Sequence, residues 1–363
     1  MPVTLQLPQL AQSRPQRAEP VVPRPETPHA QRRLIDSHGR TIHDLRLSIT
    51  DRCNFRCTYC MEPDHRFADR DTLLTVDELV RTARLCAGLG VRSIRLTGGE
   101  PTLHPQLEAI IARVAALPGV TDVSMTTNGS LIDHPRLAAW RTAGLRRLTF
   151  SLDGVSPESF ARITRSSSTP EQVIAAIGAA QRAGLGPIKV NAVIVRGENE
   201  HEIPALASLA RNMGFEMRFI EFMPLDAGRH WNPQKLVPAD EILERLSDTT
   251  ALAPLGRAHV SGTAELFAFA DAPQSPARIG IIAPVSRPFC GQCSRLRITA
   301  DGQVRPCLFS LSESDLRGPL RSGASDEMLE EVLLNATWHK QAGHGINSPA
   351  FAQPARTMSA IGG

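Results

Sequence analysis

Aromatic residues make up only 4 % of this chain, and there is a single tyrosine, Tyr59. Lysine is as scarce, with three lysines against 37 arginines. No run of about 18 apolar residues occurs, so no transmembrane helix is expected. An excess of charge is also lacking. The formal net charge is +3, and residues 1–40, with six arginines and three acids, account for all of it. The remainder is neutral, which excludes a broad basic nucleic-acid footprint. No apolar signal core opens the chain, which points to the cytoplasm rather than secretion. Seven cysteines in 363 residues are too few, and odd in number, for a disulfide scaffold. Their spacing carries the information instead.

Hydrophobic residues at 42 % and charged residues at 21 % describe a soluble globular chain, long enough for two or three structural units. Residues 1–30 hold seven of the 28 prolines and few large apolar side chains, so 1–40 is expected to be a disordered tail. An Arg-rich transit peptide is the alternative, opposed by Glu19, Glu26 and the prolines. From about residue 43, apolar stretches at 45–49, 91–96, 120–125, 147–152, 188–194 and 216–222 read as six strands separated mostly by helical patterns. The clearest helix spans 75–89, with Thr75 and Glu78 as a capping box and Gly90 as the stop. Further helices are expected over 105–117, 135–142, 170–183 and 202–213. Such alternation predicts parallel strands with right-handed crossovers. Six units fall short of the eight that close a barrel, and spacing alone leaves a doubly wound sheet open. After Leu246 the pattern changes to short strands at 264–269, 279–282, 296–299 and 304–307, a helix near 327–336 and a loop-like tail. The expected division is therefore 1–40, 41–246 and 247–363.

Cys53-x3-Cys57-x2-Cys60 follows the first strand. Three thiolates in one short loop can ligate three corners of a four-iron cluster and leave one iron open to a small molecule. A three-thiolate zinc site with a distant fourth ligand is the alternative. Cys290-x2-Cys293-x13-Cys307 is a second trio with the same missing ligand, for which His339 or His344 could complete a zinc site. Cys86 is left over, on the apolar face of the first helix, and reads as a core residue.

The first loop, with Tyr59 before its last cysteine, resembles the signature of radical S-adenosylmethionine enzymes. Thr97-Gly98-Gly99-Glu100-Pro101 at the end of the second strand is similar to that superfamily's GGEP segment. With Ser294-Arg295-Leu296-Arg297 inside the second trio and an Ile361-Gly362-Gly363 terminus, the chain from about Leu45 to Gly363 resembles the GTP 3′,8-cyclase (MoaA) family of molybdenum-cofactor biosynthesis. The resemblance implies an α/β fold: an incomplete (β/α)6 TIM-type barrel with a C-terminal α+β extension carrying a second Fe–S cluster. It further implies two 4Fe–4S clusters, on Cys53, Cys57 and Cys60 and on Cys290, Cys293 and Cys307, the second contacting the guanine of GTP.

Several expected strands carry single cations, namely Arg46, Arg95, Lys189 and Arg218. A buried cation needs an anion, from the protein or from a ligand, unless it sits at a strand end and reaches solvent. Arg295 and Arg297, two apart on one strand, project from the same face. Such a ring suits a polyanion, and a triphosphate fits. Neither a P-loop nor a Rossmann fingerprint occurs. By resemblance, Arg46, Arg95, Thr126, Lys189, Arg295 and Arg297 match the GTP contacts. Tyr59, Gly98, Gly99, Glu100, Ser151 and Met223 match the S-adenosylmethionine site. Arg295, Arg297, Gly362 and Gly363 match positions close to catalysis. Ser93 departs from the family, where a lysine often stands. The resemblance also implies a 5′-deoxyadenosyl radical acting on ribose C3′, a homodimer, and a downstream cyclic pyranopterin monophosphate synthase (MoaC) that takes the product. No electron donor is named by the sequence. Another radical enzyme, such as a peptide maturase with an auxiliary cluster, and a zinc-stapled binding protein are the competing classes.

Overall fold

The computed structural model describes residues 23–362; most of the expected tail, and Gly363, lie outside them. Twelve strands are present: β1 (Asp44–Ser48), β2 (Ser93–Thr97), β3 (Asp122–Thr127), β4 (Arg147–Ser151), β5 (Lys189–Ile194), β6 (Glu216–Glu221), β7 (Leu252–Gly256), β8 (Glu265–Phe269), β9 (Arg278–Ile282), β10 (Arg295–Ile298), β11 (Gln303–Arg305) and β12 (Ser314–Asp315). They form one sheet in the order β12-β11-β10-β1-β2-β3-β4-β5-β6-β9-β8-β7.

The six expected strands all form, each within a few residues of its predicted bounds. Val91 precedes β2 because its N–H still bonds Cys86 O at 3.0 Å, closing the helix before it. That helix, Val76–Gly88, starts with the anticipated Thr75/Glu78 capping box and buries Leu79, Ala83, Leu85 and Cys86. Cys86 is fully buried among apolar neighbours, as expected.

The pattern change after Leu246 is not a break in the sheet. Strand β9 pairs parallel with β6 on one flank, and β10 pairs parallel with β1 on the other. The wall therefore runs through eight consecutive parallel strands, from β10 through β1–β6 to β9, and stays open because β9 and β10 do not pair. Helices pack outside it, and the main core lies between them and the wall. Helices Pro157–Thr164 and Ala239–Ser247 were not anticipated, nor was the short helix Met358–Ile361 in the supposedly loop-like tail.

Residues 23–40, expected to be disordered, run largely exposed but are anchored to the body at a few points. Leu34 is buried, Arg24 bonds Glu331 and Asn335, and the buried Arg40 pairs with Asp36 at 2.6 Å. The partners of Arg24 come from the helix Asp326–Trp338, at the far end of the chain, so local composition could not reveal them.

Candidate active site

Strand direction sets the site. Cys53, Cys57 and Cys60 follow the carboxyl end of β1, whereas Cys290 and Cys293 precede β10 and Cys307 follows the antiparallel β11. The two trios therefore lie towards opposite ends of the wall. One cavity between them is lined by Tyr59, Arg46, Arg95, Thr126, Ser151 and Met223, and also by Cys290, Cys293, Cys307, Arg295 and Arg297.

Register explains the cations. Arg46 is paired with Arg95 on β2 and with Arg297 on β10, so three guanidinium groups stem from one row of adjacent strands. Neighbouring strands are only ~4.8 Å apart, and like charges so placed repel. Burial first, and then the other cations, push Arg46, Arg95 and Arg297 down from the usual arginine range. Arg95 donates to Thr149 Oγ1 at 2.8 Å and to Thr126 Oγ1 at 3.5 Å. Lys189, on β5, lies 3.8 Å from Glu216, a carboxylate it shares with Arg218. Burial, with Arg218 adding repulsion, brings its ammonium down to about 8.

The two glycines of the Gly-Gly-Glu-Pro turn allow a close backbone approach. A Cβ on Gly98 would meet Thr50 O at 2.3 Å, and one on Gly99 would meet Arg52 O at 2.3 Å. The N–H groups of Gly99 and Glu100 donate to those two carbonyls, at 2.9 and 2.7 Å, fixing the start of the cysteine loop. Glu100 is 1 % exposed, and its carboxylate accepts from Thr102, Thr127 and Asn128. It ties the end of β2 to the end of β3.

In the first trio, burial pushes the Cys53 thiol up to about 11 and Cys60 up to about 12, and Cys57 rises well above the thiol range. Neighbouring sulfurs and Asp153 add to the rise for Cys57 and Cys60. Three thiolates can share such a site only with a compensating cation among them. Among the described residues, no three His, Cys, Asp or Glu side chains converge on a position for one metal ion. In the second trio Cys290 is raised by burial, but Cys293 is brought down to about 6, against burial, by Arg295 and Lys340. His339 is exposed and bonds Asn335 O, and His344 Nδ1 accepts from Ile346 N.

The tail reaches this cavity. Met358 lines it, Ser359 bonds the Cys60 sulfur, Ile361 is buried, and Gly362 O accepts from Arg297 at 2.7 Å. Arg356, just upstream, is clamped by Asp301 at 2.7 and 3.0 Å and by Glu313 at 2.7 Å.

Residues 47–210 match the Radical SAM superfamily, and residues 215–346 match Molybdenum Cofactor Synthesis C. The chain is 45 % identical to GTP 3′,8-cyclase of Mycolicibacterium smegmatis, covering 91 % of this chain and 92 % of that one. It is 46 % identical to GTP 3′,8-cyclase of Streptomyces coelicolor, over 91 % and 96 %. The chain belongs to the GTP 3′,8-cyclase family. Streptococcus suis SuiB bound to S-adenosylmethionine shares the fold, with a TM-score of 0.60 at 13 % identity over 89 % of this chain and 78 % of that one. The open α/β barrel is thus the radical SAM architecture, and membership in the GTP 3′,8-cyclase family implies a 4Fe–4S cluster and S-adenosylmethionine. The Cys53, Cys57 and Cys60 thiols fit that cluster, with three donors and no fourth cysteine in the loop.

Several cavity residues escaped sequence reasoning. Asp153 accepts from Tyr59 Oη at 2.7 Å and from Val193 N at 2.8 Å, and burial raises it to about 6. Asn191 lines the cavity with a buried Oδ1 that has no hydrogen-bond partner. Both lie two residues beyond a position already singled out, Ser151 and Lys189, and strand alternation was the available signal. Phe289 also lines the cavity, where only folding brings it, and so does His344, expected near the second trio as a possible zinc ligand.

Proposed function

We propose that this chain converts GTP to (8S)-3′,8-cyclo-7,8-dihydroguanosine 5′-triphosphate, the first step of molybdenum-cofactor biosynthesis. The observation that carries the reading is the Arg297–Arg46–Arg95 row, with Arg218, around a cavity that the second cysteine trio also lines; Lys189 does not line it but stands beside it at Glu216. Cations so crowded and buried need an anion, and a triphosphate offers several oxygens to guanidinium forks.

Cys53, Cys57 and Cys60 would hold a 4Fe–4S cluster that, given one electron from a reductant, would cleave S-adenosylmethionine to methionine and a 5′-deoxyadenosyl radical. Around it, Tyr59, Ser151 and Met223 line the near end of the cavity and orient the nucleoside cofactor. Gly98 and Gly99 keep the cysteine loop seated, and Glu100 braces the strand ends beneath it. Arg46, Arg95, Thr126 and Lys189 hold GTP along the wall. Arg295 and Arg297 stand towards the second trio, where Cys290, Cys293 and Cys307 would hold a second 4Fe–4S cluster facing the base of GTP. Gly362 brings the tail against the substrate, and the buried Ile361 keeps water from that end; Gly363, matched to a catalytic position, lies outside the described residues. The same reading includes a homodimer in the cytoplasm that hands its product to a cyclic pyranopterin monophosphate synthase. No helix among the described residues is long and apolar enough to cross a membrane.

The test is anaerobic incubation with GTP, S-adenosylmethionine and a strong reductant. A cyclised nucleotide formed together with 5′-deoxyadenosine supports the reading. Release of 5′-deoxyadenosine independent of GTP, with no cyclised product, rejects it in favour of another radical enzyme.

A further inference from the structure

Lys340 is one of only three lysines in the chain, and it is 2 % exposed. It stands just beyond the helix Asp326–Trp338. Its ammonium donates to the backbone carbonyl of Arg295 and to the Cys293 sulfur. The Arg295 guanidinium donates to the same sulfur through Nε at 3.4 Å and through a terminal nitrogen at 3.3 Å. Among the described residues no carboxylate forms an ion pair with Lys340. Two cationic side chains thus converge on the Cys293 sulfur.

The other sulfurs of this trio receive neutral donors. Cys290 accepts from the His344 backbone N–H, and Cys307 from Phe309 N at 3.5 Å. In the first trio the Asp153 carboxylate acts on Cys57 and Cys60, while Glu100 and Arg56 act on Cys53 with opposite signs. The second trio thus has two cationic side chains at one sulfur, whereas the first has the Asp153 carboxylate near two of its three.

We propose that Lys340 is a positioning and charge-compensating residue for the second trio, holding Cys293 in place and raising the reduction potential of the centre bound there. The inference rests on the reading that both trios hold 4Fe–4S clusters. Positive charge and hydrogen bonds at cluster sulfurs favour the reduced, more negative state, and so raise the potential.

The experiment is a potentiometric titration followed by electron paramagnetic resonance on the full-length, anaerobically reconstituted protein and on Lys340→Gln, Lys340→Met and Lys340→Arg. A background with Cys53, Cys57 and Cys60 replaced by alanine assigns the second centre's signal. The expected result is a more negative midpoint for the second centre in Lys340→Gln and Lys340→Met, recovery in Lys340→Arg, and an unmoved first centre. An unmoved second midpoint, or equal shifts of both centres, overturns the proposal. If the neutral variants fail to load that trio while Lys340→Arg loads it, the charge is required for assembly and the proposal stands. Failure of Lys340→Arg as well overturns it in favour of packing. A parent protein with no signal from the Cys290 trio removes the underlying reading and the proposal together, whereas a normal parent signal with an unmoved midpoint removes the proposal alone.

Discussion

The Arg297 guanidinium donates to the carbonyl oxygen of Gly362 at 2.7 Å, so a strand cation in the middle of the barrel holds a residue from the chain's end. Gly362 adopts φ +81°, and a Cβ there would meet Ser48 Oγ at 1.9 Å. Gly362→Ala is therefore expected to lift the tail and free Arg297. The loss of one hydrogen bond to a charged group, ~1.5–3 kcal/mol, should reduce cyclised product by about tenfold or more. Turnover in the anaerobic assay, set beside GTP binding at equilibrium, checks this. Undiminished turnover would reject a working role for the tail.

Arg356 offers an independent way to loosen the same tail. Arg356→Gln removes the paired bonds to Asp301 without touching the cavity. The expected signature is a fall in kcat, with KM for GTP nearly unchanged. A raised KM at constant kcat would instead make Arg356 part of GTP binding.

The cation row trades stability for binding. Arg46 is repelled by Arg295 and Arg218 and carries the cost of burial. Arg46→Gln should leave the ligand-free chain as stable as the parent or more so, while GTP affinity falls by about 10–100-fold. Chemical denaturation and equilibrium binding measure the two quantities separately. A large loss of stability would show that Arg46 holds the fold rather than a ligand.

The Lys189 ammonium, lowered by burial to about 8, should impose a pH dependence on GTP capture. A lysine with a depressed value loses its charge as pH rises through it. Below pH 8 the free enzyme is therefore competent at this position, and above it kcat/KM should fall by up to about tenfold per pH unit. In Lys189→Arg that decline should vanish, and a profile that keeps it would assign the titration to another group.

Metal content separates the cluster reading from zinc. Reconstituted protein should hold about eight irons per chain, and replacing Cys290, Cys293 and Cys307 together by alanine should leave about four. Zinc without iron in the purified protein would overturn the assignment.

The six barrel strands were readable because each is a short apolar run bounded by turn residues, and the Thr75/Glu78 box marked its helix directly. Strand β7 was hidden because it contains Pro254 and is largely exposed, so it shows neither an apolar run nor alternation. The cations were visible as residues out of place in apolar strands, but their ranking was not. Register makes Arg46, Arg95 and Arg297 a row, and register is a long-range property. Arg295 could be read as a substrate residue, yet folding turns it onto Cys293. The value of Glu100 to the strand ends depends on Thr127 and Asn128, nearly thirty residues away, which no local motif displays.

The last third of the chain supplies a neighbour for each outer strand of the first six, β10 beside β1 and β9 beside β6. While the chain is still emerging from a ribosome, those two flanks present unsatisfied backbone donors and acceptors for roughly as long as it takes to add the final hundred residues, at ~5–20 residues per second. Nascent chains halted before β9 should be prone to edge-to-edge association, and completion of synthesis, rather than any single cofactor, is the event that first seals both sides of the barrel wall.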